Sequence, residues 1–157
     1  MPEDALQKIR SIANYQFSRG AGKALFPEGV TIRHSKRTGK VREVIWKGRL
    51  LASLRATSGT FALTLEGFKR LLEAFKPPRF RVTVQNDVAE LIRQGRTVFA
   101  KHVKDADPAI RPQDEVAVVD EDGELLAVGK ALLSGVEMVA FQCGKAVRVR
   151  RGRGQTA

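Results

Sequence analysis

One cysteine, Cys143, stands in 157 residues, which excludes an intramolecular disulfide and a zinc site built on several thiolates. Histidine is nearly as scarce: His34 and His102 are far apart in sequence and neither has a cysteine nearby, so no metal site is expected. No apolar stretch approaches the roughly 18 residues that a membrane span requires. The start, Met1-Pro-Glu-Asp4, is acidic with no apolar run behind it, so no signal peptide is read. These shortages together lead to an expectation of a cytoplasmic protein with no membrane partner and no cofactor. Paired catalytic acids, a nucleophile beside a base and a metal cluster are all missing, so an enzyme is not expected.

Negative charge is the other shortage. Lys and Arg number 28 against 17 Asp and Glu, a net charge of +11. The excess is uneven: residues 1–77 carry 15 basic and 6 acidic side chains, residues 78–157 carry 13 and 11. Between Arg33 and Arg55 eight cations (Arg33, Lys36, Arg37, Lys40, Arg42, Lys47, Arg49, Arg55) meet one acid, Glu43. Phosphate neutralisation by a polyanion is the natural use of such a run. A solvated basic surface kept for solubility is the plain alternative.

Periodicity organises the chain into two parts. Leu6, Ile9, Ile12 and Ala13 give residues 4–15 one apolar helical face. The aromatic and aliphatic residues after it, Tyr15, Phe17, Leu25 and Phe26, read as core, and residues 23–26 as one further helical turn. Gly22-Lys23 does not make a phosphate loop: Phe17 stands where that motif needs glycine, and Ala24 where it needs Ser or Thr. Short strands are expected over residues 30–34, 41–46, 50–54 and 61–63, with Lys47-Gly48 as a tight turn. Thr64 can cap a helix whose stripe is Leu65, Phe68, Leu71, Leu72 and Phe75, ended by Pro77-Pro78. Residues 1–77 therefore read as a basic α+β domain, a small antiparallel sheet flanked by helices.

Residues 78–150 read as a second domain and residues 151–157 as a basic disordered tail. Its centre is a hairpin: two apolar runs, residues 116–119 and 125–133, flank the turn Asp120-Glu121-Asp122-Gly123. That turn lacks the ligand spacing of a calcium loop, about 12 residues. Further strands are expected at residues 79–84, 97–103, 138–141 and 146–149. Asp87-Val-Ala-Glu90 fits a capping box for a helix stopped by Gly95, and residues 104–109 read as a loop. The sum is a small, mostly β barrel with a helix packed on it.

Gly95-Arg-Thr-Val-Phe-Ala-Lys-His-Val103, Ile110-Arg-Pro-Gln-Asp-Glu-Val-Ala-Val-Val-Asp120, Glu124-Leu-Leu-Ala-Val-Gly-Lys-Ala131 and Gly144-Lys-Ala-Val-Arg-Val149 resemble, in order, the blocks of a PUA domain. Ile9-Arg-Ser-Ile-Ala-Asn-Tyr-Gln-Phe17 and Ser35-Lys-Arg-Thr-Gly-Lys-Val-Arg-Glu-Val44 resemble the domain preceding PUA in the archaeal tRNA-guanine transglycosylases of the archaeosine pathway. The resemblance implies an α+β chain ending in a PUA-like β pseudobarrel, and binding of structured RNA, tRNA above all. It carries no catalysis, because the catalytic barrel with its zinc cysteines has no room in 157 residues with one cysteine. The chain is then a stand-alone module or the accessory partner of a catalytic transglycosylase subunit.

Carried to matching positions, the family's RNA surface marks Gly95, Arg96, Thr97, Val98, Phe99 and Ala100. Gly95 has no Cβ and allows close approach of a sugar or phosphate. Phe99 reads either as a stacking platform or as a core aromatic of its strand. Arg81, Lys101 and Arg148 are phosphate candidates in the second domain; Lys36, Arg37, Lys40 and Arg42 form the best patch of the first. The acidic turn 120–124 would repel RNA and is expected to point away from it. Two other functions compete: a protein-interaction or ribosome-assembly factor, favoured by an exposed apolar patch around Trp46 or Phe26, and an unrecognised RNA-modifying enzyme.

Overall fold

The computed structural model describes residues 2–155, which form two compact units, Met1–Ala74 and Phe75–Ala157. The fold class is the expected one: an antiparallel sheet flanked by helices, then a nearly closed six-stranded barrel.

In the first unit, α1 (Pro2–Gln16) buries Ile9 and Ala13, one turn apart on the same face. A short helix α2 (Ala21–Leu25) follows a glycine-rich break. Asn14 Oδ1 accepts from the Gly22 N–H at 2.7 Å and ties the two helices together. The sheet runs β1 (Thr31–His34), β2 (Val41–Trp46), β3 (Arg49–Leu54) and β4 (Phe61–Leu63), each strand beside its neighbour in sequence. Ile32, Val44, Ala52 and Leu63 align across the strands, and the last three are fully buried. Arg33, Glu43, Ser53 and Ala62 align on the opposite face. Gln16 seals the β4 edge by donating to the Phe61 carbonyl and accepting from its N–H, at 2.9 and 2.7 Å. Thr64 caps α3 (Leu65–Ala74) as expected, accepting from the Gly67 N–H at 3.1 Å. Phe26 and Leu25 are core, but Tyr15 is 93% exposed: it sits a half-turn away from the Ile9–Ala13 stripe.

The second unit orders its strands β6-β10-β9-β8-β5-β7, where β5 is Arg81–Val84, β6 Val98–Phe99, β7 Val103–Ala106, β8 Glu115–Val119, β9 Leu125–Ala131 and β10 Lys145–Gly152. Every pairing is antiparallel except β5 with β8. Val82, Val84, Val116, Val118, Leu126, Val147 and Met138 fill the interior. The central hairpin β8–β9 forms as read, and Asp120 Oδ1 accepts from the N–H groups of Asp122 and Glu124, both at 2.9 Å, which fixes its turn.

Several local expectations are overturned. Residues 97–103 are not one strand: a 3₁₀ turn, Ala100–His102, separates β6 from β7, and the Ala100 N–H reaches the Gly144 carbonyl at 2.9 Å. Residues 103–106, read partly as loop, are β7, paired with β5. Asp87 lies inside a 3₁₀ turn, Asn86–Val88, and does not cap α4 (Ala89–Arg93), whose N-cap is Val88. The capping box lies at Ser134 and Glu137 instead, and it starts α5 (Gly135–Ala140) where a strand was expected at residues 138–141. The tail is not disordered over residues 151–155. β10 continues to Gly152, the Arg153 N–H donates to Leu126, and the Gly154 N–H to Arg93. Residues 156 and 157 lie outside the described residues.

Candidate nucleic-acid interface

In the first unit the four selected cations gather at one end of the sheet. Lys36, Arg37 and Lys40 stand on the β1–β2 hairpin and Arg42 on the adjoining strand, all exposed. Backbone bonds hold the hairpin tip: Ser35 N–H to the Lys40 carbonyl and Gly39 N–H to the Ser35 carbonyl, both 2.8 Å. Arg33, by contrast, is engaged by Glu43 at 3.2 Å on the open face of the sheet. The tip therefore concentrates positive charge on a backbone of defined shape.

In the second unit a groove of about 280 Å³ is lined by Val88, Leu91, Ile92, Arg96, Thr97, Phe99 and His102. One wall is α4 with the turn before it; the other is the segment that leaves Gly95. Leu91 is 53% exposed and Phe99 39%, so both offer apolar surface at the mouth. Arg96 is exposed beside them, its backbone N–H donating to the Leu91 carbonyl at 3.2 Å. Lys101 is exposed on the 3₁₀ turn that follows. Val98 and Ala100, also selected, are buried, and Thr97 is half-buried, so Val98 and Ala100 shape the segment from within.

Gly95 takes a left-handed backbone, φ +93°, and a Cβ on it would lie 2.5 Å from the Gln155 amide. The left-handed backbone selects glycine, while the Gln155 amide, the end of a flexible side chain, lies in the approach read for a sugar or phosphate and can move out of it. Gln155 is itself held there, accepting from the Gly152 N–H at 2.7 Å.

Arg81 is removed from the candidate surface. It is 9% exposed and its Nη1 donates to the carbonyls of Phe75 and Arg79, both at 3.0 Å; burial lowers the pKa of its guanidinium. It fastens the start of β5. Arg148 is exposed on β10, directly across from Lys130 on β9, and like charges so placed repel unless an anion joins them. Lys145, which the sequence reading passed over, is paired across the ladder with Phe99 and is exposed. Only the strand register reveals that neighbour; the spacing of 46 residues in sequence gives no hint of it.

The acidic hairpin turn is not a free tip. Glu121 accepts from Lys104 Nζ at 2.6 Å and from the Asn86 N–H at 2.8 Å, and those bonds hold its carboxyl below the usual range. Arg93 Nη2 stands 3.9 Å from both Asp120 and Glu124. Among the described residues, no group of three or more His, Cys, Asp or Glu is placed to hold a metal ion, and no helix is long and apolar enough to cross a membrane.

Comparison with known proteins supplies the family. Residues 80–153 match the PUA domain, and residues 7–78 match the patch-forming domain C2 of tRNA-guanine transglycosylase. The chain is a PUA-domain protein. More particularly, it closely matches the C-terminal C2-plus-PUA region of archaeal tRNA-guanine transglycosylases. It is 49% identical over 150 residues to the tRNA-guanine(15) transglycosylase of Pyrococcus abyssi, covering 96% of this chain and 25% of that protein. It is 47% identical over 153 residues to that of Thermoplasma volcanium, covering 97% and 24%. The chain thus spans about a quarter of the length of these curated relatives. Among solved structures, a hypothetical protein from Pyrococcus horikoshii OT3 shares the fold over 96% of this chain and 90% of its own, with a TM-score of 0.76 at 22% identity. A conserved PUA domain protein from Thermoplasma acidophilum does so over 99% and 92%, with a TM-score of 0.66 at 21% identity.

Proposed function

We propose that this chain is a noncatalytic RNA-binding module that takes the acceptor stem and 3′ end of tRNA, alone or as the accessory subunit of a separately supplied transglycosylase of the archaeosine pathway. The observation that carries the proposal is the groove between α4 and the segment after Gly95. Its mouth joins the exposed faces of Leu91 and Phe99 to Arg96, an arrangement suited to an unpaired base and its phosphate. Arg96, Phe99 and Lys101 supply side chains to that contact; Gly95, Thr97, Val98 and Ala100 supply its backbone shape. Arg148 and Lys145, and in the first unit Lys36, Arg37, Lys40 and Arg42, neutralise stem phosphates.

The test is a binding titration of the full chain with intact tRNA and with the same tRNA trimmed of its unpaired 3′ nucleotides. The intact molecule should bind roughly tenfold tighter, the worth of one well-stacked base. Equal affinity removes the 3′-end assignment. A second reading, a protein-interaction or assembly factor, is favoured by a different observation: Val136, Val139 and Phe141 are 62%, 49% and 44% exposed on and just after α5. The patch suggested earlier for that reading fails at Phe26, which is wholly buried. Recovery from native extract of a stable protein partner without tRNA would favour this second reading.

A further inference from the structure

The first unit has a second concave feature, at the end of β2 opposite the cationic hairpin and about 20 Å from it along the strand. Trp46, Lys47, Arg49, Leu51, Glu66, Lys69, Arg70 and Glu73 enclose about 280 Å³. Trp46 and Arg49 are paired across β2 and β3. Glu66, Lys69, Arg70 and Glu73 come from α3 at helical spacing, which gives that helix a polar stripe away from its buried Phe68 and Leu71. Lys47 Nζ lies 4.4 Å from the Trp46 ring and the Arg70 guanidinium 4.6 Å.

The two cations are held differently. Arg70 Nε donates to the Ala24 carbonyl at 3.1 Å, which fixes it. Lys47 is exposed and occupies a left-handed backbone, φ +50°, ahead of Gly48 at φ +77°. A β-turn needing two such residues ordinarily uses Asn or Gly first, so lysine is strained there. Its cover of the indole is a solvated contact that a stacking ligand can displace.

We infer that this groove binds one unpaired nucleotide. Its base takes the place of Lys47 over Trp46, and its phosphate lies between Lys47 and Lys69. The volume of about 280 Å³ falls just below the range of drug-sized ligand sites, about 300–1,000 Å³, and so suits no more than a single nucleotide. The carboxylates decide between anionic ligands. Glu66 is paired with Arg49 at 2.7 Å, while Glu73 is exposed at the rim. An acidic peptide would meet both, whereas a base with an amino group brings a donor to Glu73. The inference rests on the RNA-binding proposal only for the kind of ligand; it concerns a different unit and different residues.

Trp46 is the only tryptophan of the sequence, so its fluorescence reports this groove alone. The full chain is titrated with cytidine 5′-monophosphate and with a single-stranded tetracytidylate, while tRNA retention is measured in parallel. Both probes should quench Trp46 saturably, and Lys69→Glu, at an exposed position, should weaken the tetranucleotide by at least about fivefold. Absence of saturable quenching with tRNA retention intact overturns the nucleotide groove and leaves the RNA-binding proposal standing. Absence of both overturns both. An unchanged affinity in Lys69→Glu, or quenching by a hexaglutamate peptide and by neither nucleotide, overturns the inference as well.

Discussion

The hairpin tip of the first unit and the groove of the second hold opposite kinds of recognition surface. At the tip, Lys36, Arg37 and Lys40 project from a compact turn, with Arg42 on the strand beside it and no apolar surface to shape a ligand. In the groove, Leu91 and Phe99 are the exposed lining elements, and the cations Arg96, Lys101 and Lys145 stand at its margin rather than filling it. The charge totals follow the same division, 15 basic against 6 acidic side chains up to residue 77 and 13 against 11 afterwards. A surface of the first kind binds in proportion to the counterions it releases; one of the second kind binds by stacking and shape. The difference predicts two separable contributions to one affinity.

The largest expected effect comes from charge reversal at the tip. Lys36→Glu, Arg37→Glu and Lys40→Glu together should cost about a hundredfold in tRNA affinity near 0.1 M salt, at up to about 1 kcal/mol per contact. They should also make the slope of log affinity against log salt shallower by about three. An unchanged slope would break the comparison. Next is Arg81→Met, which should lower the stability of the second unit by about 1–3 kcal/mol in urea unfolding, since two partly buried carbonyls lose a charged donor. Affinity for tRNA should stay within about twofold once the protein is folded, because Arg81 presents no surface. Phe99→Ala should weaken tRNA roughly tenfold and leave the salt slope unaltered, which separates stacking from charge.

The smallest effect is a response to acid. Glu121 titrates below its usual range when folded because Lys104 and the Asn86 N–H bond its carboxylate. Its contribution to stability is therefore complete above the usual carboxylate range and is lost as pH falls through the lowered folded value. Protection against hydrogen exchange, taken relative to the unstructured rate at each pH, should fall at Asn86 and Glu121 over that range, whereas protection at Ser35 and Gly39, bonded to carbonyls, should hold. Glu121→Gln should abolish the pH dependence at Asn86.

The same comparison explains what could be read from the chain. In the first unit each strand pairs with its sequence neighbour, so local alternation and the turn at Lys47-Gly48 sufficed to place the sheet and its cationic tip. The second unit depends on distant pairings. Phe99 faces outward because β6 joins β10, and that register, invisible locally, also brings Lys145 to its side. Residues 138–141 looked like a strand because Val139 and Phe141 are apolar yet exposed, which erases the amphipathic signal of a six-residue helix. The Ser134–Glu137 pair was the available sign of that helix. Arg81 reads as a surface cation because nothing in its alternating segment distinguishes an outward arginine from one turned back onto carbonyls. The C-terminal Arg-Gly sequence looked disordered by composition, but Gly152 is required where a Cβ would lie 2.2 Å from the Arg93 carbonyl.

The place of β10 within its sheet has a consequence for biosynthesis. β6 has β10 as its sheet neighbour, and β9 needs β10 on one side, so neither can complete its ladder until residues 145–152 have left the ribosome. The first unit, whose strands join in the order they are made, is free to fold as it emerges. A nascent chain stalled shortly before residue 145 should therefore carry a folded, protease-resistant front and a second half with an open sheet margin, the form most exposed to aggregation and chaperone capture.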